Sequence, residues 1–117
     1  MEFTESLKKN YEFRRLYNKG KSAATPFVVV YVKRTGRDTN HLGITVSNKI
    51  GKAVVRNKVR RRLREIYRLH EHEMQQGCDL VFVARGRSVE ASYVQLEQAV
   101  LKACRQLKVM HEKRDCD

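Results

Sequence analysis

Three things are scarce in this sequence, and each scarcity closes off a class of protein. Acids come first: 13 Asp and Glu stand against 25 Lys and Arg, leaving a net charge of +12. A chain so unbalanced repels itself unless a polyanion supplies the missing charge, which is the electrostatic footprint of a nucleic-acid binder. Cysteines number three, Cys78, Cys104 and Cys116, an odd count with no C-x-x-C spacing. They read as reduced thiols, not as a disulfide framework or a zinc site. Long apolar runs are missing too. None approaches the ~20 residues of a membrane span, and no signal-peptide core follows Met1. The expectation is a cytoplasmic protein with no membrane partner. The 117 residues, 41% of them hydrophobic, are enough for one domain with one core.

Catalytic constellations are equally sparse. His70-Glu71-His72-Glu73 has metal-ligating residue types but lacks the i,i+4 histidine spacing of H-E-x-x-H. His70 and His72 fall about 200° apart on a helix, so one ion cannot easily use both. Asp38 and Asp79 are isolated acids, with no second carboxylate spaced for a two-metal nuclease. Gly20, Gly36 and Gly51 assemble no phosphate-cradling loop. From the residues alone, neither a catalytic group nor a metal ligand is expected in the protein.

What the chain has in abundance is a basic stretch over residues 49–68. At 100° per residue it separates into two faces. Val55, Val59, Leu63, Ile66 and, further on, His70 and Met74 line one side; Asn57, Arg61, Arg64 and Arg68 line the other, flanked by Lys58 and Arg60. Arg56 and Arg62 sit at the margins, where their stems can cover the apolar stripe. Glu65 is the only acid between Lys49 and Arg68, whereas an ordinary solvated face mixes signs because like charges at i,i+4 cost about 0.2–0.5 kcal/mol each. A solubility device, a membrane-surface helix and a calmodulin-type target are the competing readings. The membrane reading is weak, since the apolar face has no Trp or Phe to anchor it. Asn57 between cations adds donor and acceptor capacity suited to a phosphate or base edge, so nucleic acid leads.

Taken in order, residues 1–9 read as extended, and Asn10 as the cap of a helix over 11–19 that ends at Gly20. Residues 21–24 form a short strand broken by Pro26. The Val-rich 27–33 is a strand, 35–40 a turn between antiparallel strands, and 41–47 the returning strand. The basic helix spans 53–75 and ends at Gly77; 78–84 is an apolar strand suited to a buried central position. Ser88 or Ser92 caps a last helix with an apolar stripe of Tyr93, Leu96, Val100, Cys104 and Leu107, and residues from about 109 to 117 fray. The order is αβββαβα, an α/β (α+β) two-layer domain of 1–117: a four-stranded mixed sheet with helices on one face, in a ribosomal-protein-like layout.

The segment Lys49-Ile50-Gly51-x-Ala53-Val54-x-Arg56-Asn57-Lys58-x-x-Arg61-x-x-Arg64 resembles the signature of the bacterial ribonuclease P protein subunit, its RNR motif. The resemblance extends over nearly the whole chain: Leu7-Lys8-Lys9-Asn10-x-x-Phe13, the strand over 27–31, Leu42-Gly43-Ile44-Thr45-Val46-Ser47 and the strand over 81–84. One departure is Lys58, where the family often has Arg; charge survives, but a bidentate contact does not.

The resemblance implies a subunit that joins a large catalytic RNA to make the endonuclease removing 5′ leaders from precursor tRNA. Magnesium is held mainly by that RNA and the substrate, and no obligate protein partner is implied. It implies a left-handed crossover through the basic helix, against the general rule. It puts Lys49, Arg56, Asn57, Lys58, Arg60, Arg61 and Arg64 on the surface facing the catalytic RNA, and Arg68 continues the same face. Phe13, Tyr17 and Tyr31 match the aromatic positions of a cleft that holds the single-stranded leader, with Arg14 beside them. Aromatic residues at i and i+4 of a helix, and a tyrosine in a strand, are otherwise ordinary core. Two rival functions stand beside this one: a ribosome-associated or general RNA chaperone, and a stand-alone protein nuclease.

Overall fold

A computed structural model describes residues 1–111; Cys116 and most of the expected frayed tail lie outside them. Three helices, α1 (Asn10–Lys19), α2 (Ala53–His70) and α3 (Tyr93–Gln106), accompany five strands: β1 (Thr4–Ser6), β2 (Lys21–Ala24), β3 (Val28–Arg34), β4 (Asn40–Thr45) and β5 (Cys78–Ala84). The sheet order is β1-β4-β5-β3-β2. The fold is α+β with a mixed sheet, of five strands where four were expected. β1 is the addition, a polar Thr-Glu-Ser segment parallel to β4. A second correction concerns β3 and β4, which do not pair with each other. β5 inserts between them, antiparallel to β3 and parallel to β4. That central place explains its composition: Leu80 and Phe82 join one core, while Val81 and Val83 serve the opposite face.

The third correction follows from the same alternation. Helices cover both faces of the sheet. α2 and α3 seal a large core with Val28, Val30, Val32, Leu42, Leu80 and Phe82 from the sheet and Val59, Leu63, Ile66, Leu96 and Val100 from the helices. α1 lies on the other face, where Leu7, Leu16 and Val81 are buried with Phe13, Tyr31 and Val83 packed beside them. The hand of the β4–α2–β5 connection follows from chirality. The Leu42 carbonyl accepts the Leu7 amide at 2.9 Å and so points to β1, while its side chain enters the core under α2. For an L-residue viewed from its side-chain face with the strand running upward, the carbonyl points right. β1 therefore lies right of β4 and β5 left of it, and the crossover is left-handed, against the usual rule.

Several element ends differ from expectation, each for a polar reason. Lys9 takes the capping position expected of Asn10, with the Glu12 carboxylate accepting its N–H at 3.2 Å. Ser92, not Ser88, caps α3 and exchanges hydrogen bonds with Gln95 in a capping box. α2 stops at His70 instead of residue 75, because Glu71 is drawn inward to accept the N–H groups of Glu2 and Phe3 at 2.8 and 3.2 Å. A 3-10 turn, Glu71–Glu73, follows, and Met74 leaves the helix to bridge Met110. Val109 and Met110, expected to fray, are buried. His70 is not on the apolar stripe. Its ring is held between Glu73 and Glu97, the latter at 2.8 Å.

Candidate RNA-binding surfaces

The first surface is built on α2 and the 3-10 turn before it, Asn48–Ile50. Val59, Leu63, Ile66 and Tyr67 are buried, and that fixes the rotation of the helix. Lys58, Arg61, Arg64 and Arg68 consequently face solvent, with Asn57 among them. Val54 stands 81% exposed at the start of the same face. Arg56 ties the two parts together: its Nη1 donates to Asn48 Oδ1 at 2.8 Å and its Nε to the Gly51 carbonyl at 3.2 Å. It holds the loop that presents Lys49. Arg60 is half-buried and donates to Asn57 Oδ1 at 3.0 Å. Arg68 differs from its neighbours, since Glu65 grips it through two hydrogen bonds of 2.7 Å. That pair holds the Glu65 carboxyl below the usual carboxylate range. Among the described residues it is the only ion pair an α2 arginine makes.

The second surface is the part of the sheet that α1 leaves open. α1 begins over β4, where Phe13 lies so close to Gly43 that a Cβ there would stand 2.5 Å from the ring. Only glycine permits that approach. Tyr17, 38% exposed, meets Tyr31 edge-on, with ring centroids 5.0 Å apart and planes at 76°. The Tyr17 hydroxyl is 3.1 Å from Thr45 Oγ1, which steadies it across the cleft from β4. Tyr31 and Phe13 are half-buried, and Arg14 is exposed on α1. Alternation places Val29 and Val83, cross-strand partners, on the same floor as Tyr31 and Val81. Thr45 and the valines are not legible as site residues from the sequence. Period-two reading of β3 alone could have found Val29, but not its partner across the sheet.

The two surfaces meet at the β1–β4 edge. A hollow of about 190 Å³ is lined by Phe13, Leu42 and Ile44 together with Arg60 and Arg64. Two arginines, with Glu5 beside them, and an apolar wall thus share one opening. The family model described as Ribonuclease P matches residues 1–108. The chain belongs to the ribonuclease P protein family. The Ribonuclease P protein component of Alkaliphilus oremlandii is 40% identical over 111 residues, spanning 95% of this chain and 97% of that protein. Its counterpart in Thermoanaerobacter sp. (strain X514) is 48% identical over 96 residues, spanning 82% and 83%. The RNase P protein of Staphylococcus aureus matches with a TM-score of 0.83 at 34% identity, over 91% of this chain and 97% of that one. The Thermotoga maritima protein matches with a TM-score of 0.78 at 30% identity, over 92% and 99%. The segment from Lys49 to Arg64 that resembles the family signature lies on α2 and the turn before it.

Chemically, the first surface offers hydrogen-bond donors and the second offers aromatic faces. No group of three His, Cys, Asp or Glu among the described residues is arranged to hold a metal. The buried thiol of Cys104, pushed up to about 12 by desolvation, is no nucleophile at neutral pH.

Proposed function

We propose that this protein is the RNA-binding subunit of a tRNA-processing ribonucleoprotein, assisting endonucleolytic removal of the 5′ leader from precursor tRNA. In this reading α2 and the preceding turn hold the catalytic RNA through Lys49, Arg56, Asn57, Lys58, Arg60, Arg61, Arg64 and, more weakly, Arg68. The cleft of Phe13, Tyr17 and Tyr31, with Arg14 beside it, takes the single-stranded leader by stacking, each base contributing roughly 1–3 kcal/mol with little base preference. Magnesium and the hydrolytic chemistry belong to the RNA and the substrate. The donors along both surfaces suit phosphate oxygens, not a hard cation. Family membership supports a ribonuclease P RNA as partner, and no helix of the described chain is long and apolar enough to cross a membrane. A cytoplasmic site of action and a single RNA-binding domain fit the same account.

The observation that carries the proposal is the hollow where Phe13 meets Arg60 and Arg64. It joins a stacking surface to a phosphate-binding one, as a protein contacting two RNAs at once requires. The test is reconstitution at low magnesium with a bacterial ribonuclease P RNA and a leader-bearing precursor tRNA. The expected result is stimulated cleavage at the mature 5′ end and none by the protein alone, with neither Asp38 nor Asp79 needed by the complex. A general RNA chaperone would bind many RNAs and stimulate none. Robust protein-only cleavage would establish the nuclease reading instead.

A further inference from the structure

The end of the sheet where β3 stops and β5 starts carries a cluster of cations that belongs to neither surface above. α3 closes there in a Schellman motif. The Lys108 N–H donates to the Arg105 carbonyl at 3.0 Å, and the Val109 N–H donates to the Cys104 carbonyl at 3.1 Å. The motif needs a left-handed residue at position 108, where glycine or asparagine is usual. Here it is lysine with a φ of 61°, the only non-glycine residue of positive φ among those described. An L side chain is disfavoured in that conformation. A cation in the last turn of a helix complements its dipole, but Arg105 already supplies one. Strain kept where glycine would remove it points to a use for the side chain.

The surroundings of Lys108 carry more of the same charge. Alternation along β3 puts Tyr31 on the open face and Val32 in the core under α2 and α3. Arg34 therefore leaves the sheet on the side of α2 and α3. Its Nη1 donates to Gln75 Oε1 at 2.6 Å and its Nη2 to the Lys108 carbonyl at 3.0 Å, which fixes the guanidinium against the end of α3. Arg34, Arg105 and Lys108 line a hollow of about 570 Å³ with Met110 and His111. All three cations are exposed, and none is ion-paired among the described residues. Glu73, the one acid on the wall, is engaged by His70. A guanidinium held in place beforehand loses less freedom on binding an anion, and its remaining donors suit phosphate oxygens.

We propose that Arg34, Arg105 and Lys108 bind backbone phosphates of the catalytic RNA, as a contact separate from the face of α2. The proposal rests on the reading of this chain as that RNA's subunit. Arg34 points away from the cleft assigned to the leader, which favours the catalytic RNA over the leader as the ligand. The test titrates a ribonuclease P RNA with the full chain over a range of salt concentrations. Lys108→Gly removes a charge together with the strained side chain, so it should melt no lower than wild type. It should nevertheless lower the salt slope by about 0.7–0.9 and bind about fivefold more weakly at roughly 0.15 M salt. Arg105→Gln/Lys108→Gly should double the change in slope, and Lys108→Arg should keep the wild-type slope. Arg105→Gln alone, at an exposed side chain, serves should Lys108→Gly melt early. Wild-type affinity and slope in Lys108→Gly and in the double variant would overturn the proposal. So would an unchanged affinity for the catalytic RNA with weakened binding of precursor tRNA by the assembled complex, which would give the site to the substrate. Arg61→Ala/Arg64→Ala separates the two levels. If it too leaves affinity for the catalytic RNA unchanged, the subunit reading has failed; if it weakens binding and the Lys108 variants do not, only this site has.

Discussion

The two faces of the sheet are covered to different degrees. Under α2 and α3 the core is continuous from Ala23 to Met110, with Tyr67, Phe82, Leu63 and Ile66 fully enclosed. Under the shorter α1 only Leu7, Leu16 and Val81 are buried, and the rings around them keep an edge toward water. The division separates the face that carries stability from the face proposed to bind. One face holds the sheet together, and the other can stay open because it is not asked to. Truncations on the two faces should therefore differ most in stability. In urea denaturation, Leu63→Ala should cost about 2–5 kcal/mol and Phe82→Ala about 3–5 kcal/mol. Tyr17→Ala should cost less, about 0.5–1.5 kcal/mol for its edge contact with Tyr31 and at most a similar amount for its exposed hydroxyl contact with Thr45. Equal costs on the two faces would dissolve the comparison.

The sealed face also presents α2, and the charges on its outer side should act on binding without acting on stability. Arg61→Ala and Arg64→Ala should each reduce the salt slope of catalytic-RNA binding by about 0.7–0.9 and leave the melting temperature unchanged. Arg68→Ala should do less, because Glu65 already occupies that guanidinium. A lost fold with an unchanged slope would make these arginines structural.

Smaller effects should come from two titrating groups at the end of α2. Burial pushes the Glu71 carboxyl up, but hydrogen bonds from Thr4 and from the N–H groups of Glu2 and Phe3 outweigh it, and its pKa lies below the ordinary value. Its contribution is present above the unfolded pKa of about 4.3 and is lost as pH falls through the lower folded value. β1 should then detach, seen as faster hydrogen exchange at Phe3 in acid; Glu71→Gln should abolish the pH dependence. His70 behaves oppositely. Desolvation pulls its pKa down, but Glu97 and Glu73 outweigh that and raise it. Its contribution is complete below about pH 6.5 and fades as pH rises through the raised value. His70→Gln should flatten that decline in a series of melting curves.

Legibility in the sequence followed the range of the interactions. The rotation of α2 was readable because Val59, Leu63 and Ile66 repeat at the helical period, and one buried stripe fixes the opposite face. The insertion of β5 between β3 and β4 was not readable. Strand pairing is non-local, and a strand's own residues do not name its neighbours. β1 carries no apolar signal at all; its place comes from Glu71 holding the chain at Glu2 and Phe3 and from Thr4 meeting the Tyr67 hydroxyl at 2.8 Å. The same buried carboxylate ends α2 early, whereas in the sequence Glu71 stands out only as part of a His-Glu-His-Glu group with the wrong spacing for a metal. At the two candidate surfaces, residue types announced the cations, but the Arg68–Glu65 pairing and the Thr45 contact to Tyr17 required the fold.

If the open face binds the leader, Tyr17 is the position where the loss should show, since it is exposed and contributes little to the core. The measurement compares the affinity of the reconstituted complex for a precursor tRNA with a several-nucleotide leader and for the mature tRNA, using wild type and Tyr17→Ala. The variant should lose roughly 1–3 kcal/mol on the leader-bearing tRNA, the value of one stacked base. Mature tRNA should bind as before, and the melting temperature should hardly move. Equal losses on the two tRNAs, or a loss matched by a large drop in melting temperature, would contradict it and return the aromatic cluster to the core.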